Sequence, residues 1–100
     1  MTEPGNKAGV IVRYHPAVIS KDIPALDRTA QKRIRLAINN KLLVNPLLYG
    51  KPLHGTLRRF FKLRIGNWRI VYEITPSYVD ILLIAHRKDS YSKALNRIGK

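Results

Sequence analysis

The sequence contains no cysteine, few acidic residues and no long apolar run. Without cysteine, the chain can form neither a disulfide framework nor a cysteine-based zinc site. The longest apolar stretch, residues 79–85, includes Asp80 and is far too short to cross a bilayer, so we expect no membrane partner. Residues 1–8 lack the apolar segment of a signal peptide, which predicts that the protein acts in the cytoplasm.

Acidic residues are scarce beside basic ones. Six Asp and Glu accompany 19 Lys and Arg, which gives the 100-residue chain a formal net charge of +13. A charge of this size opposes compaction by self-repulsion, and a polyanionic or acidic partner would offset it. Nucleic acid is the commonest such partner, because phosphate neutralisation releases condensed counterions. The composition therefore favours a protein directed at nucleic acid, over a basic protein that is merely soluble or the basic half of a protein complex.

The apolar pattern predicts one compact α+β domain over residues 1–100, with residues 1–8 as a flexible lead-in. The predicted elements are a strand over 10–14, a short helix over 17–23, a long helix over 26–42, a loop over 47–56, strands over 57–65, 68–75 and 78–87, and a final helix over 90–98. This order, β-α-α-β-β-β(-α), predicts a mostly antiparallel sheet with the N-terminal helices packed on one face.

Gly66-Asn67 is a two-residue hairpin signal between two of the predicted strands. Counting outward from this turn places Arg64 directly opposite Arg69, with side chains alternating between the two faces. The core face is predicted to carry Phe61, Leu63, Ile65, Trp68, Ile70 and Tyr72. The opposite face then carries Phe60, Lys62, Arg64, Arg69 and Val71.

Like charges placed directly opposite each other on a sheet are destabilising by about 0.2–1 kcal/mol. Convergence of Lys62, Arg64 and Arg69 on one face therefore predicts an anion site, whereas the alternative is a solvated face on which the long side chains splay apart. Cleavage of RNA through its 2′-hydroxyl needs a base, charge stabilisation of the phosphorane and an acid for the leaving oxygen. Arginine supplies the stabilisation without titrating, and Lys, Tyr and His are the candidates for proton transfer.

No metal is required by that chemistry. Three scattered histidines and six carboxylates form a poor ligand set, so we expect neither a metal ion nor another cofactor. His86, Arg87, Lys88 and Tyr91 follow the predicted last strand directly, and we expect them to leave the sheet at an edge where a site could lie.

A family pattern runs through these segments. It consists of Leu53-His54-Gly55, the string from Phe61 to Tyr72, and His86-Arg87 with Tyr91. Together with the strand ending in Tyr14-His15-Pro16 and the long helix, these residues resemble the RelE/ParE toxin superfamily of bacterial toxin–antitoxin modules. The resemblance covers about residues 9–97.

The resemblance implies a ribosome-dependent endoribonuclease that cleaves mRNA in the A site and inhibits translation. It implies that the partners are the ribosome, mRNA and a cognate acidic antitoxin that wraps the toxin. The functional residues of RelE-like members match Lys62, Arg64, Arg69, Arg87 and Tyr91. We also expect RNA binding by the neighbouring residues Arg58, Arg59, Phe60 and Lys88.

The sequence departs from the family at Phe60, where some RelE members carry a second lysine. This departure leaves Lys62, His86 and Tyr91 as alternative candidates for the general base. Two other functions remain open under the same resemblance: a ParE-like inhibitor of DNA gyrase without nuclease activity, and a degenerate member that only binds its antitoxin.

Overall fold

The computed structural model describes residues 10–99, so the predicted lead-in over residues 1–8 lies outside the described part of the chain. The strands and helices are β1 (Ile11–Tyr14), α1 (Arg28–Ala37), α2 (Pro46–Tyr49), β2 (Lys51–Pro52), β3 (Phe60–Ile65), β4 (Trp68–Ile74), β5 (Tyr78–His86) and α3 (Ser90–Ile98). They are joined by π-helical turns at Val18–Asp22 and Ile38–Leu42 and by a 3₁₀ turn at Gly55–Leu57. Every helix in this part of the chain is too short or too polar to cross a membrane.

The sheet has five strands in the order β1-β5-β4-β3-β2. Only β1 and β5 run parallel, and the remaining pairs are antiparallel. The predicted α+β fold with a mostly antiparallel sheet is therefore confirmed. Apolar side chains of α1 and of both π-helical turns form a core with one face of β3, β4 and β5. The opposite face is covered in part by α3, through a second cluster that includes Ala94 and Val71.

The helical region follows its apolar spacing. Asp27 begins α1 by accepting a hydrogen bond from the Ala30 N–H at 2.7 Å, and Ala30, Ile34 and Ala37 are buried. The helix continues into the π-helical turn Ile38–Leu42, which buries its two end residues. The predicted long helix over 26–42 is thus present, but it begins at Arg28 rather than at residue 26 and its last turn is widened. The short helix predicted over 17–23 is the π-helical turn Val18–Asp22.

The predicted loop over residues 47–56 was wrong in part, since it contains α2 and β2. Pro46 starts α2, and the Asn45 side chain caps it by accepting from the Leu48 N–H at 3.2 Å. The Tyr72 hydroxyl donates a buried hydrogen bond of 2.7 Å to the Pro46 carbonyl and thereby ties α2 to the sheet. Because burial removes solvation from the phenolate, the pKa of Tyr72 rises to about 12.

The predicted hairpin register is confirmed in every pair from Ile65–Trp68 to Phe61–Tyr72. Gly66 has a φ of +57°, the left-handed conformation that a two-residue turn requires at this position. The first hairpin strand begins at Phe60 rather than at residue 57, because Gly55–Leu57 forms a 3₁₀ turn that buries Leu57. The core face and the opposite face therefore carry the residues that the register predicted.

Gly66→Ala should lower the free energy of unfolding by about 1–2 kcal/mol, because a side chain in the left-handed region is strained. A Cβ at Gly66 would also lie 3.0 Å from Nη1 of Arg33, which would have to move. Gly55→Ala is the matched control, since Gly55 has a φ of +62° but open space around its Cβ position. Urea unfolding should show a larger loss for Gly66→Ala; equal losses would mean that the Arg33 contact contributes nothing.

An ion pair between Asp22 and Arg97 covers the edge of β5 beyond the end of β1. The Asp22 carboxylate accepts hydrogen bonds from the Arg97 guanidinium at 2.6 and 3.1 Å and from the Ile84 N–H at 2.9 Å. Arg97 also donates to the Leu82 carbonyl at 3.0 Å. These bonds satisfy strand-edge groups that would otherwise lack partners and fix α3 against the N-terminal turn.

Candidate functional site

The cationic cluster consists of Lys62, Arg64, Arg69 and Arg87. The first three extend from the face of β3 and β4 that α3 partly covers, and Arg64 lies directly opposite Arg69. Arg87 follows β5 directly, and its N–H donates to the Asn67 carbonyl in the hairpin turn at 2.8 Å. The chain thus brings four of the predicted site residues to one end of the sheet.

Arg69 is held in place by the turn beside it. Its Nη1 donates to the Gly66 carbonyl at 3.0 Å and to the Trp68 carbonyl at 2.9 Å. Partial burial, together with the positive charges of Arg64 and Arg87, lowers the pKa of Arg69 below its ordinary value. The guanidinium stays charged at any physiological pH, because arginine starts from a very high pKa. These repulsive neighbours mark a place where an anion would be stabilised.

A bulge in β5 determines which residues accompany Arg69. Val71 lies opposite Leu83 whereas Tyr72 lies opposite Ile81, so Leu82 is an extra residue in the strand. A one-residue shift moves every following side chain to the other face. In consequence Ala85 lies opposite Arg69, and Arg87 continues on that side, close enough for its charge to act on Arg69.

The same shift carries His86 to the opposite face of the sheet. His86 lies opposite Trp68, and the two rings meet edge to face with centroids 5.7 Å apart. Its Nδ1 accepts the Lys88 N–H at 3.3 Å. The structure therefore does not bring His86 to the cationic cluster, and the Lys88 side chain lies exposed in the turn after β5.

Tyr91 lies in the first turn of α3 and is 55% exposed. The following turn of this helix buries Ala94 in the cluster that also contains Val71, which places α3 on the same face of the sheet as the cationic cluster. The Ser90 hydroxyl donates to the Arg87 carbonyl at 3.5 Å, which links the start of α3 to the turn that carries Arg87. A phenol and four cations are thus available at this end of the molecule.

Phe60, Arg58 and Arg59 do not join the cluster. The Phe60 ring is only 3% exposed and packs in the core beneath α3, so it cannot stack on a base at the surface. Arg59 lies over that ring at 5.0 Å and pairs with Glu73 at 3.5 Å. Both arginines are exposed, but they precede β3, and Arg59 lies about 16 Å along the strand direction from Arg64.

Lys51 is a neighbour that the sequence did not predict. It lies in β2 directly opposite Lys62, so the cationic face continues across a third strand. This pairing depends on a two-residue strand within a segment rich in Gly and Pro, and no periodicity can reveal so short an element. Residues 10–99 contain no group of three or more His, Cys, Asp or Glu side chains that could hold a metal ion.

The family of the chain follows from its sequence as well as from this arrangement. The family model described as ParE toxin of type II toxin-antitoxin system, parDE, matches residues 12–91. The chain therefore belongs to the RelE/ParE superfamily and is a toxin of a type II toxin–antitoxin module.

Known relatives agree with this assignment. Toxin RelE of Mycobacterium tuberculosis is 34% identical over 83 residues, which cover 78% of this chain and 86% of the relative. A chain of the RelBE2 toxin–antitoxin complex from the same organism has a TM-score of 0.72 at 29% identity, covering 80% of this chain and 93% of its own. A chain of the RelB–RelE complex from Methanococcus jannaschii shares the fold with a TM-score of 0.64 at 24% identity, covering 81% and 96%.

Proposed function

We propose that the protein is an endoribonuclease that cleaves mRNA in the ribosomal A site by attack of the 2′-hydroxyl, without a metal ion, and so inhibits translation. The observation that carries the proposal is the cationic cluster, in which Arg64 lies opposite Arg69 and the positive charges of Arg64 and Arg87 both act on Arg69. A doubly charged phosphorane is an anion that such a group of guanidinium ions would stabilise. The 34% identity with Toxin RelE supports the same activity.

In the proposed reaction the 2′-oxygen forms a bond to phosphorus while the bond from phosphorus to the 5′-oxygen breaks. A base takes the proton of the 2′-hydroxyl, and an acid gives a proton to the departing 5′-oxygen. Arg64, Arg69 and Arg87 would stabilise the charge on the equatorial oxygens. Lys62 and Tyr91 are the groups that we propose for proton transfer, because both lie on the same side of the sheet as the arginines. His86 is a weaker candidate, since it lies on the opposite face.

We propose a cognate acidic antitoxin as the protein partner. The formal charge of +13 is what an acidic segment would neutralise, and complementary charge speeds the encounter of two proteins. The RelBE2 relative from M. tuberculosis was crystallised as a toxin–antitoxin complex, which supports a similar assembly for this chain.

The test is a pair of assays on the purified protein. We expect cleavage of mRNA on programmed ribosomes and no inhibition of DNA gyrase supercoiling. The second candidate, a ParE-like gyrase inhibitor, is favoured by the match to the ParE toxin model and predicts the reverse pattern. Failure in both assays, with tight binding to the antitoxin, would indicate a degenerate member and overturn the proposal.

A further inference from the structure

A second cationic concavity lies on the other side of the β3–β4 turn, between that turn and α1. This hairpin cleft has a volume of about 480 Å³. Its lining comprises Arg33, Leu36, Ala37, Asn40, Lys41, Arg64, Ile65 and Gly66. Arg64 therefore belongs both to the cationic cluster and to the hairpin cleft, so that the two are continuous at this residue.

Within the described residues, the cations of the hairpin cleft have no carboxylate partner. None of the carboxylates in residues 10–99 lines it. The ion pairs within that range join Arg13 to Asp80, Arg59 to Glu73 and Arg97 to Asp22, so Arg33, Lys41 and Arg64 take part in none of them. A concave surface with uncompensated cations concentrates anions near it.

Two of these cations have close neighbours within the protein. Nη1 of Arg33 lies 3.0 Å from the position that a Cβ would take at Gly66, so this guanidinium lies close to the β3–β4 turn. Nζ of Lys41 lies over the Tyr49 ring at 5.8 Å from its centroid. Arg33 therefore lies beside the turn, and Lys41 beside an aromatic ring, before any ligand binds.

We propose that the hairpin cleft binds the phosphate backbone of an RNA strand through Arg33 and Lys41, with Arg64 connecting it to the cationic cluster. The identity of the ligand as RNA rests on the proposed function, whereas the binding is measurable without any cleavage. Two sources could supply this backbone, the message that is cleaved or the ribosomal RNA beside it. The alternative ligand is an acidic protein segment, and the RNA-binding measurements distinguish the two.

The test compares two double variants that each remove two positive charges. Arg33→Gln/Lys41→Gln changes the hairpin cleft, and the matched control Arg28→Gln/Lys32→Gln changes exposed residues outside its lining. Binding of a labelled single-stranded RNA dodecamer is followed by fluorescence anisotropy over a range of salt concentrations. Losing two phosphate contacts should reduce the slope of log K against log[salt] by about 1.4, because each contact contributes about 0.7 for a single strand.

The control should retain the wild-type slope, and urea unfolding should show that both double variants are folded.

A second experiment measures how much of each variant sediments with ribosomes that carry no message. Loss of binding to the dodecamer supports the message as the source, and loss only with vacant ribosomes supports ribosomal RNA. If the cleft and control variants behave alike in both arms, the inference is overturned, and an acidic protein segment becomes the better occupant. Absence of mRNA cleavage by the wild type would overturn the proposed function but not this binding result.

Discussion

Replacing Arg69 with glutamine should slow mRNA cleavage on programmed ribosomes by about a hundredfold or more, since removal of one preorganised charge-stabilising donor typically costs that much. Arg69 is preorganised because its Nη1 is bonded to the Gly66 and Trp68 carbonyls of the adjacent turn. Glutamine removes the charge and the planar fork of donors while keeping a polar side chain. The measurement is a single-turnover rate of cleavage at saturating ribosome concentration.

The fold should tolerate this change well. Arg69 lies opposite Arg64, and relief of that repulsion offsets part of the loss of two hydrogen bonds, one of them exposed and the other partly buried. Arg28→Gln is the matched control, because it removes the same charge from an exposed position in α1. A cleavage rate for Arg69→Gln within threefold of the control rate would contradict the role given to Arg69.

Replacing Asp22 with alanine should destabilise the protein by about 3 kcal/mol or more, because it leaves the partner of a buried ion pair uncompensated. The side chains of Arg97 and Asp22 are 14% and 9% exposed. With alanine at this position, the Arg97 guanidinium would keep only its hydrogen bond to the Leu82 carbonyl, and the Ile84 N–H would lose its acceptor. The free energy of unfolding is measured by urea titration.

Asp80→Ala provides the comparison, since Asp80 pairs with Arg13 at the same 2.6 Å separation but the two side chains are more exposed, at 29% and 53%. Exposed pairs contribute little, so this variant should lose much less stability. The double variant Asp22→Ala/Arg97→Met should recover part of the loss, because it removes the stranded charge. Equal losses of stability for Asp22→Ala and Asp80→Ala would show that burial does not determine how much the Asp22–Arg97 ion pair contributes to the free energy of unfolding.

The sequence was sufficient to predict the hairpin because its turn contains only two residues. Gly66-Asn67 fixes the register, and the register fixes which side chains share a face with Arg64 and Arg69. The long helix was predictable for a similar reason, since its apolar spacing is regular. Both features depend on residues that are close in the chain.

Features that depend on distant residues escaped prediction. The Leu82 bulge decides that Arg87 rather than His86 accompanies Arg69, and nothing in the local pattern of β5 reveals it. Burial of Phe60 depends on where α3 packs, and the position of Lys51 depends on the short strand β2. These are contacts between elements, which periodicity along one element does not describe.

The parallel pairing of β1 with β5 sets an order of events during synthesis. The residues joined by the Arg13–Asp80 pair are 67 positions apart, a stretch that takes roughly 3–13 s to translate at typical rates. Until β5 emerges, β1 has no strand to pair with, and the long loop between them must close before the sheet is complete. The nascent chain therefore cannot assemble its sheet progressively from the first strand, and the edge that β1 presents stays unpaired until the last strand has been made.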